Sequence, residues 1–425
     1  MYAFFIYGII KKRCYLKIMD IALERKLDFW LGIPVCALVS FFVCCRAFIR
    51  REKKETRSVK RVLFIKLSEL GAIILSYPLI KAIKTDFPSA ELFFVTFHKN
   101  KGVFKLLDGI IPERNVLYIR DDSLILFVAD TVKVLYTVRK ARIDASFDLE
   151  FFSRFSAILS CFSGAWLRAG FYAYAFEGLY RGNFLTHKVQ YNPFLHAAKN
   201  YLAFRQAAGE SRKDTPELKE KIEDEEIIFP TYSPDKKVRE KIAVKLSEAG
   251  GRVHRGERIF LINPGEGVLP LREWLLDHFI ELCRLILEDK DARIVVIGTQ
   301  GALPKTRVLL AALADNRCVS LVGKTGLDEL LELCTCAEAL ISNDCGLAHL
   351  AMLTPVKKFI FFGPESPRVF GPYGDNIRIF YSGKPCSPCL SVFNHRRSLC
   401  GDNVCLKSIL PRHVYAAVRD SFRHP

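Results

Sequence analysis

Acidic residues are scarce in this sequence relative to basic ones. Its 425 residues include 46 Asp and Glu against 63 Lys and Arg, which gives a formal net charge of +17. Such an excess favours polyanionic partners, namely nucleic acids, acidic membrane surfaces or phosphorylated substrates. The sequence also lacks zinc-finger spacing with paired histidines and an RNA-binding aromatic signature. We therefore expect no nucleic-acid partner.

Regularly spaced cysteines are missing for most of the chain. The 14 cysteines are largely scattered, and many of them, such as Cys36 and Cys161, lie in apolar runs that suit small buried hydrophobes. Disulfide-rich secreted proteins are shorter and more regular, so a reducing cytoplasm is the default. The length exceeds what one hydrophobic core usually supports, and the 50% hydrophobic composition can fill two.

Charge is absent from residues 29–45, FWLGIPVCALVSFFVCC, which lie between Asp28 and Arg46. The segment is at the lower edge of membrane-spanning length, and Gly32 and Pro34 weaken a straight helix near its start. No small-residue cleavage site follows, so it is not a typical signal peptide. A spanning helix, a re-entrant or interfacial hairpin and a core helix all remain open, with membrane association favoured.

Basic residues follow this apolar segment. Residues 46–61 contain eight Lys and Arg against two Glu. A basic cluster beside an apolar segment favours an anionic membrane surface, although a solvated linker is the alternative. If the segment spans, the cluster indicates that the main body is cytoplasmic. The apolar residues 1–10 are a second candidate contact, and we assign residues 1–58 to a membrane-associating segment and basic linker.

The rest of the chain shows two series of alternating strands and helices. RVLFIKL (61–67), a glycine-containing turn, a helical stretch and ELFFVTF (91–97) predict the start of a βαβ unit, with further strands near 124–128 and 143–149. The second series has apolar runs at 259–265, 292–299, 338–344 and 357–363. We predict an α/β protein with two Rossmann-like domains that face a cleft, at 59–235 and 236–425.

The stretch ISNDCGLAHLA (341–351) is the strongest motif. A predicted strand ends at Asp344, and a helix begins near Gly346, where the glycine lets a ligand approach the backbone closely. First-turn amides lack internal partners and carry partial positive charge, so a phosphate or pyrophosphate fits there. His349 falls on the same turn. The alternative is an N-cap aspartate, a turn glycine and a packed histidine.

Two further loops follow predicted strands. NPGEG (263–267) precedes Arg272, whose guanidinium can reach a phosphate, and FFGPESP (361–367) closes a third strand. Because ligands of such sheets bind beyond the carboxyl ends of the strands, we expect the three loops to form one site.

The order of NPG and a tryptophan, GKTGLDELLELCTCAEALISNDCGLAHLA, FFGPESP and CSPC resembles glycosyltransferase family 9, the heptosyltransferases of lipopolysaccharide core assembly. The resemblance covers roughly residues 59–410. It implies the GT-B architecture and an inverting transfer of a sugar, with heptose as first candidate, to a lipopolysaccharide core or other envelope glycan at the cytoplasmic face of the inner membrane. No Asp-x-Asp motif for a donor-bound cation stands out, which agrees with metal-independent transfer that needs no cofactor.

The resemblance also implies site residues in the C-terminal half. The family uses an Asp-x-Gly-x-x-His stretch for the phosphates and sugar of the donor, a basic residue two positions before the tryptophan for phosphate, and a segment near the nucleobase. The matching donor-binding residues here are Arg272, Thr325, Leu327, Asp344, Cys345, Gly346, Leu347 and His349.

The acceptor-side loop departs from the family pattern. That pattern is a serine, two residues, a glycine and an aspartate thought to activate the acceptor hydroxyl. Here Ser68 and Gly71 match, but Ala72 follows and cannot accept a proton. Glu69 in the same loop is our predicted base, because a nearby carboxylate can take the hydroxyl proton. The alternatives are a helix-start charge at Glu69 or a catalytically inactive nucleotide-sugar-binding or scaffold protein.

Two other groups of residues are candidates, one for the catalytic base and one for a structural metal site. Asp148 and Glu150 in SFDLEFFSR are the next candidates for the base. Near the C-terminus, Cys386, Cys389, Cys400 and Cys405 give the spacing C-x2-C-x10-C-x4-C. Four thiolates of this kind can hold a structural zinc ion, and two disulfides are less favoured in a reducing compartment.

Overall fold

The computed structural model describes residues 21–49, 58–172, 179–209, 220–250, 256–265, 270–394 and 396–422. Residues 1–10 and most of the basic cluster therefore lie outside the described residues. The chain forms two compact units. The first contains the residues up to Glu69 together with 76–192 and 198–226, and the second contains 70–75, 193–197 and the residues from 227 onwards.

The first unit is built on a six-stranded parallel sheet with the order β3-β2-β1-β4-β5-β6. Its strands are β1 Arg61–Ile65, β2 Glu91–Phe97, β3 Val116–Ile119, β4 Ala145–Asp148, β5 Leu167–Tyr172 and β6 His187–Gln190. The central strand β1 is an apolar run that pairs on both sides, with Ile65 opposite Val95 and Asp148. Such a run is typical of a strand whose two faces are both covered.

Helices of the N-terminal half cover this sheet, except for α3, which groups with the second unit. They are α1 Ile21–Trp30, α2 Gly32–Ile49, α3 Leu70–Leu75, α4 Tyr77–Asp86, α5 Leu124–Ala141, α6 Arg154–Ser163 and α7 Ala197–Gly209. The predicted strand at 124–128 is wrong, because this run begins α5. Val134 and Val138 of α5 pack with Leu159 of α6 against the sheet, which continues the apolar pattern at helical spacing.

The second unit repeats the architecture with the strand order β12-β11-β10-β7-β8-β9. Its strands are β7 Arg258–Asn263, β8 Ala292–Val296, β9 Cys318–Ser320, β10 Ala339–Asn343, β11 Lys357–Phe362 and β12 Ile377–Tyr381. Its helices are α8 Lys236–Gly250, α9 Leu276–Leu287, α10 Leu303–Leu313, α11 Leu327–Cys336, α12 Gly346–Leu350, α13 Pro367–Phe370, α14 Val404–Lys407 and α15 Pro411–Asp420.

One apolar helical stretch among the described residues, Lys26–Cys45, is long enough to cross a membrane by length and composition. It comprises the end of α1 and most of α2, and its mean hydropathy is 2.0. A core helix or a signal sequence can pass the same test, so the stretch is weak evidence of a span. The boundary between α1 and α2 falls at Leu31, beside Gly32. Helical hydrogen bonding continues across it, because the amides of Leu31 and Val35 donate to the carbonyls of Leu27 and Leu31 at 3.0 and 3.2 Å.

Trp274 anchors the core of the second unit beside β10 and β11. Its indole is 2% exposed and stacks on Phe361 with ring centroids 4.2 Å apart. The indole N–H donates a hydrogen bond of 2.9 Å to the carbonyl of Ile409, so its one polar atom is satisfied. The Trp274 amide also donates to Oδ1 of Asn343 at 2.7 Å, which fixes the end of β10.

We expect Trp274→Ala to lower the free energy of unfolding of the second unit by about 3–5 kcal/mol, the range for large buried aromatic residues. The physical reason is the cavity left against Phe361 together with the carbonyl of Ile409, which loses its donor. Denaturant unfolding followed by circular dichroism measures the change. Val308→Ala, on an exposed position of α10, is the control and should change stability by less than about 0.5 kcal/mol. Equal effects of the two substitutions would contradict this account.

Candidate functional site

The polar residues of the second unit gather at one edge of its sheet. Strands β7, β10 and β11 are neighbours and parallel, so their carboxyl ends meet at the same edge. Asn263 ends β7, Asn343 ends β10, and the buried Asp344 follows directly. The three predicted loops therefore begin side by side, although residues 266–269 of the first loop lie outside the described residues.

Arg272 and Asp344 form an ion pair at this edge. Arg272 ends a short 3-10 turn, and its Nη2 and Nε lie 2.6 and 3.1 Å from Oδ2 of Asp344. Burial raises the pKa of Asp344, and the guanidinium of Arg272 opposes that rise. The contact uses Nε and Nη2, so a phosphate would bind Arg272 through Nη1. Separating the two charges would leave one of them buried without compensation, which is strongly destabilising.

His349 lies on α12 and is buried. Its Nδ1 has no hydrogen-bond partner among the residues that the structure describes. Burial lowers the pKa of His349 to about 3, and electrostatic interactions with His196 and Arg272 act in the same direction. The imidazole is therefore neutral near pH 7, and its Nδ1 is a buried polar atom left unsatisfied by the described residues. The alternative of a packed histidine stays open, because the side chain is buried.

Gly71 of the acceptor-side loop packs directly on His349. The two residues belong to α3 and α12, which contact each other within the second unit. A Cβ atom at position 71 would overlap Cδ2 of the imidazole. The glycine is thus required by close packing here.

The start of α12 places the remaining residues of the motif. Cys345 is its N-cap in extended conformation, and its carbonyl accepts a hydrogen bond of 3.1 Å from the amide of Ala348. Its sulfur accepts from Nδ2 of Asn263 at 3.4 Å and lies 3.3 Å from Oγ of Ser342. A Cβ on Gly346 would lie 3.5 Å from Leu70, an ordinary contact, so neighbouring atoms do not demand glycine there. Since α12 has only five residues, its dipole is small, and Arg272 is the stronger source of positive charge.

Glu365 is a site residue that the sequence analysis missed. It lies in the FFGPESP loop with 1% of its surface exposed, and its Oε1 is 3.2 Å from Nε of Arg396. Burial raises the pKa of Glu365 to about 8, Arg272 opposes the shift and the charge of Asp344 adds to it. Burial therefore favours the neutral carboxyl near pH 7, while the adjacent guanidinium of Arg396 favours the ionised form. The motif drew attention to the loop, but no sequence pattern reveals that this side chain is buried.

Thr325 lies in the loop that leads from β9 into α11, and Leu327 is the first residue of that helix. Because β9 is parallel to the other strands, this loop leaves the same edge of the sheet, three strands from β10. Oγ1 of Thr325 is buried and has no hydrogen-bond partner in the described part of the chain. The hydroxyl of Thr325 can therefore hydrogen bond to a ligand at the part of the sheet edge next to β9.

The loop after β1 belongs to the first unit up to Glu69. The Glu150 carboxylate accepts from the amides of Leu67 and Ser68 at 2.7 and 3.2 Å and pairs with Nζ of Lys66 at 2.7 Å. Glu69 is exposed and has a φ of 68°, a left-handed conformation that a non-glycine residue adopts at a cost of about 1–3 kcal/mol. Glu69 thus has a strained backbone conformation directly before α3.

Asp148 and Glu150, the other candidate bases, have structural contacts in the first unit. Asp148 is fully buried, forms an ion pair with Arg181 and accepts a hydrogen bond of 3.1 Å from Ser156. Burial raises the pKa of Asp148 to about 6, with Arg181 opposing the rise. Glu150 shapes the loop that carries Glu69, as described above. Both carboxylates therefore position that loop and its strand within the first unit.

The four C-terminal cysteines have free thiols. Cys386 and Cys400 are exposed, whereas Cys405 is buried and its thiol pKa is raised by that burial. Within the described ranges of the chain, no group of three or more His, Cys, Asp or Glu side chains is arranged to hold a metal ion. The geometry therefore gives no support to the structural zinc site suggested by the spacing.

Comparison with known proteins agrees with this architecture. The sequence model of glycosyltransferase family 9 (heptosyltransferase) matches residues 137–397. Lipooligosaccharide heptosyltransferase 2 of Haemophilus influenzae is 30% identical over 128 residues, which cover 29% of this chain and 37% of that protein. The chain thus spans little more than a third of the length of this curated relative.

Solved structures match over a larger part of the chain. The ADP-heptose lipopolysaccharide heptosyltransferase II of Escherichia coli has a TM-score of 0.63 at 20% identity, covering 85% of this chain and 99% of that one. A glycosyl transferase of family 9 from Veillonella parvula has a TM-score of 0.66 at 15% identity, covering 88% and 100%. The prediction of an α/β protein with the GT-B architecture of two Rossmann-like domains is confirmed at the level of the fold. The chain therefore belongs to glycosyltransferase family 9.

Proposed function

We propose that this protein is a glycosyltransferase that moves a sugar from a nucleotide-sugar donor to the lipopolysaccharide core or a related envelope glycolipid. ADP-heptose is the first candidate donor, because the relatives named above are heptosyltransferases. The observation that carries the proposal is the neutral, buried His349, whose Nδ1 has no hydrogen-bond partner within the described ranges, at the same sheet edge as the Arg272–Asp344 pair. This arrangement suits a ligand that bears both hydroxyl and phosphate groups.

The donor would be held along the carboxyl edge of the second sheet. Arg272 would bind the diphosphate through Nη1, while Asp344 keeps the guanidinium oriented. The amides at the start of α12, from Cys345 and Leu347, and the imidazole of His349 would contact the phosphates and sugar. Thr325 lies towards the β9 end of the edge, which we assign to the nucleobase.

Departure of the nucleoside diphosphate requires positive charge near its oxygens. A preorganised guanidinium in a water-poor site stabilises developing negative charge strongly, because it needs no reorganisation during the reaction. Arg272 meets this requirement with its own side chain. We therefore propose that the transfer needs no divalent cation.

Inversion at the anomeric carbon requires the acceptor hydroxyl to attack from the face opposite the leaving group while it loses its proton. We assign Glu69 as the base and Ser68 as its neighbour in the acceptor-side loop. Glu69 is exposed, so its carboxylate is accessible. Its backbone has a φ of 68°, and strained backbone of this kind clusters at functional sites. A carboxylate in this position would take the proton as the new glycosidic bond forms.

We place the protein at the cytoplasmic face of the inner membrane, where a lipid-linked acceptor would be presented. Two sequence features support this location, namely the apolar helix α2 and the basic residues that follow it. Anionic lipid attracts such juxtamembrane clusters, with each Lys or Arg contributing about 1 kcal/mol near the surface.

A second candidate is a catalytically inactive nucleotide-sugar-binding or scaffold protein. Ala72 favours it, because the family pattern has an aspartate there and alanine cannot accept a proton. In this case the donor edge would still bind its ligand, but no sugar would be transferred.

An assay of purified full-length protein with ADP-heptose and a heptose-deficient lipopolysaccharide acceptor tests the proposed function. We expect acceptor-dependent release of ADP that persists in EDTA, because Arg272 supplies the charge that stabilises the leaving group. His349→Ala should lower kcat/KM by about 10²-fold or more through the lost transition-state contact. Donor binding without release of a nucleoside diphosphate, across a panel of sugar nucleotides and acceptors, would favour the inactive alternative.

We expect Glu69→Gln to lower kcat by about 10²–10⁴-fold, the usual contribution of a general base, and to leave the Kd of the donor unchanged. The amide keeps the size and polarity of the side chain but cannot take a proton. Steady-state kinetics and calorimetric donor titration measure the two quantities. The exposed Glu240 of α8 provides the matched control Glu240→Gln, which should leave both quantities unaltered. A fully active Glu69→Gln variant would exclude Glu69 as the base.

The pH dependence of donor binding should depend on Glu365. With a pKa of about 8, this carboxyl is neutral below that pH and negative above it, beside Asp344 and the donor phosphates. We therefore expect the donor KM to rise several-fold between pH 7 and 9, as the carboxyl ionises. In Glu365→Gln the charge cannot appear, and this rise should vanish. An identical pH profile for both proteins would show that Glu365 does not face the donor.

A further inference from the structure

Helix α2 is docked along the first unit. Just before it, in the last turn of α1, Oδ1 of Asp28 accepts from the amides of Arg154 and Phe155 at 2.9 and 3.0 Å, and so caps the start of α6. Gly32 packs on the stem of Arg154, where an added Cβ would lie 2.8 Å from Cδ. The contact therefore begins before the apolar segment does.

The same face of α2 stays in contact further along. Cys36 is buried with Ala157 and Phe184, and Val39 and Val43 pack on that cluster. Ser40 accepts a hydrogen bond of 2.8 Å from the amide of Asn183. Because helical hydrogen bonding continues across Leu31, the spacing 28, 32, 36, 40 and 43 follows one face from the end of α1 into α2. This face is docked as far as Val43.

This docking is incompatible with a helix that crosses a bilayer alone. Residues 28–43 extend over about 24 Å at 1.5 Å per residue, which is most of a hydrocarbon core of about 30 Å. A perpendicular crossing would draw the Asp28–Arg154 ion pair or the backbone near Asn183 into hydrocarbon, where polar groups are costly. Yet the opposite face of α2 is strongly apolar and exposed, with Phe41 at 65% and Phe42 at 67%.

Helix α5 presents a second exposed apolar face. Its outward positions are Leu124, Ile125, Val128, Val132 and Tyr136, each more than half exposed. Val134 and Val138 of the same helix face the core, so the helix is apolar on both sides. An amphipathic helix that faces water would carry polar residues at these outward positions.

Both apolar faces lie on the same side of the first sheet. Right-handed crossovers from β3 to β4 and from β4 to β5 place α5 and α6 on one side, and residues of both helices share one core cluster. Helix α2 packs on the outside of α6. Phe162 of α6 is also partly exposed on this layer.

We propose that α2 and α5 together form a membrane-docking face that lies in the plane of an anionic bilayer surface, with neither helix crossing it. The proposal rests on the proposed activity at a glycolipid-bearing membrane and specifies how the protein would reach it. We use "docking face" below for the exposed apolar residues of these two helices.

Charge at the edges of the docking face favours lipid over a second protein. Lys133, Arg139 and Lys140 of α5 are exposed, and Asp130 of the same helix is paired with Arg120. The basic cluster at 46–61 begins at Arg46 in the last turn of α2 and continues along the chain beyond that helix. Apolar side chains bordered by Lys and Arg are the signature of helices that lie in the interface and bind anionic lipid.

Binding of the full-length protein to vesicles tests the docking face. We expect Ile125→Glu/Val132→Glu to weaken binding to phosphatidylglycerol-containing vesicles by about tenfold or more, since two charges would enter the apolar layer. The control Val244→Glu/Val308→Glu places the same charges on comparably exposed positions of α8 and α10 and should bind as the wild type does. Equal binding by both variants would overturn the role of α5, and equal wild-type binding to neutral vesicles would overturn the choice of an anionic surface.

Two further measurements separate the alternatives. In sealed inverted membrane vesicles, epitopes at the N- and C-termini should both be open to protease, whereas a protected N-terminus would show a spanning helix and overturn the in-plane arrangement. Light scattering without lipid should show the same mass for wild type and Ile125→Glu/Val132→Glu. A wild-type dimer that this variant dissociates would identify the face as a self-association surface instead.

Transfer to a deacylated, water-soluble acceptor separates this proposal from the proposed function. The docking-face variant should keep wild-type kcat on that acceptor while losing activity on acceptor embedded in vesicles. Loss on both acceptors would overturn the docking explanation. If the wild type transfers no sugar at all, the proposed function fails while the vesicle-binding result still stands or falls by itself.

Discussion

The buried pair between Arg272 and Asp344 is the interaction on which the candidate site depends. It joins the turn after β7 to the end of β10, next to the bond between the Trp274 amide and Asn343. Two opposite charges taken out of water are tolerable only together, so each fixes the other. The pair therefore holds a positive group at the sheet edge before any ligand arrives, and burial raises the pKa of the neighbouring Glu365.

Much of this fold was predictable because parallel strands covered on both faces read as continuous apolar runs. The runs at 61–65, 259–263 and 339–343 are unambiguous for that reason, and the loops after them follow from the rule that ligands bind at carboxyl ends. The run at 124–128 was misassigned, because a short apolar stretch does not distinguish a strand from the first turns of a helix. Val134 and Val138, further along the same segment, are four residues apart, and this spacing is the helical period that the short run at 124–128 does not show.

The site itself was predictable in its members but not in its electrostatics. Motif order led to Arg272, Asp344 and His349, yet no pattern shows that His349 is neutral or that Glu365 is buried near the ion pair. These properties depend on contacts between residues far apart in the chain. The same holds for Glu150, whose carboxylate organises the loop of Glu69 from more than 80 positions away.

The cap that Asp28 places on α6 links the N-terminal helices to the integrity of the first unit. Deleting them would leave the amides of Arg154 and Phe155 without that acceptor and would uncover Ala157 and Phe184. A shortened chain would then be prone to aggregate for reasons unrelated to lipid. In evolutionary terms, the segment cannot be gained or lost as an independent module, because α6 and the turn at Asn183 would have to change with it.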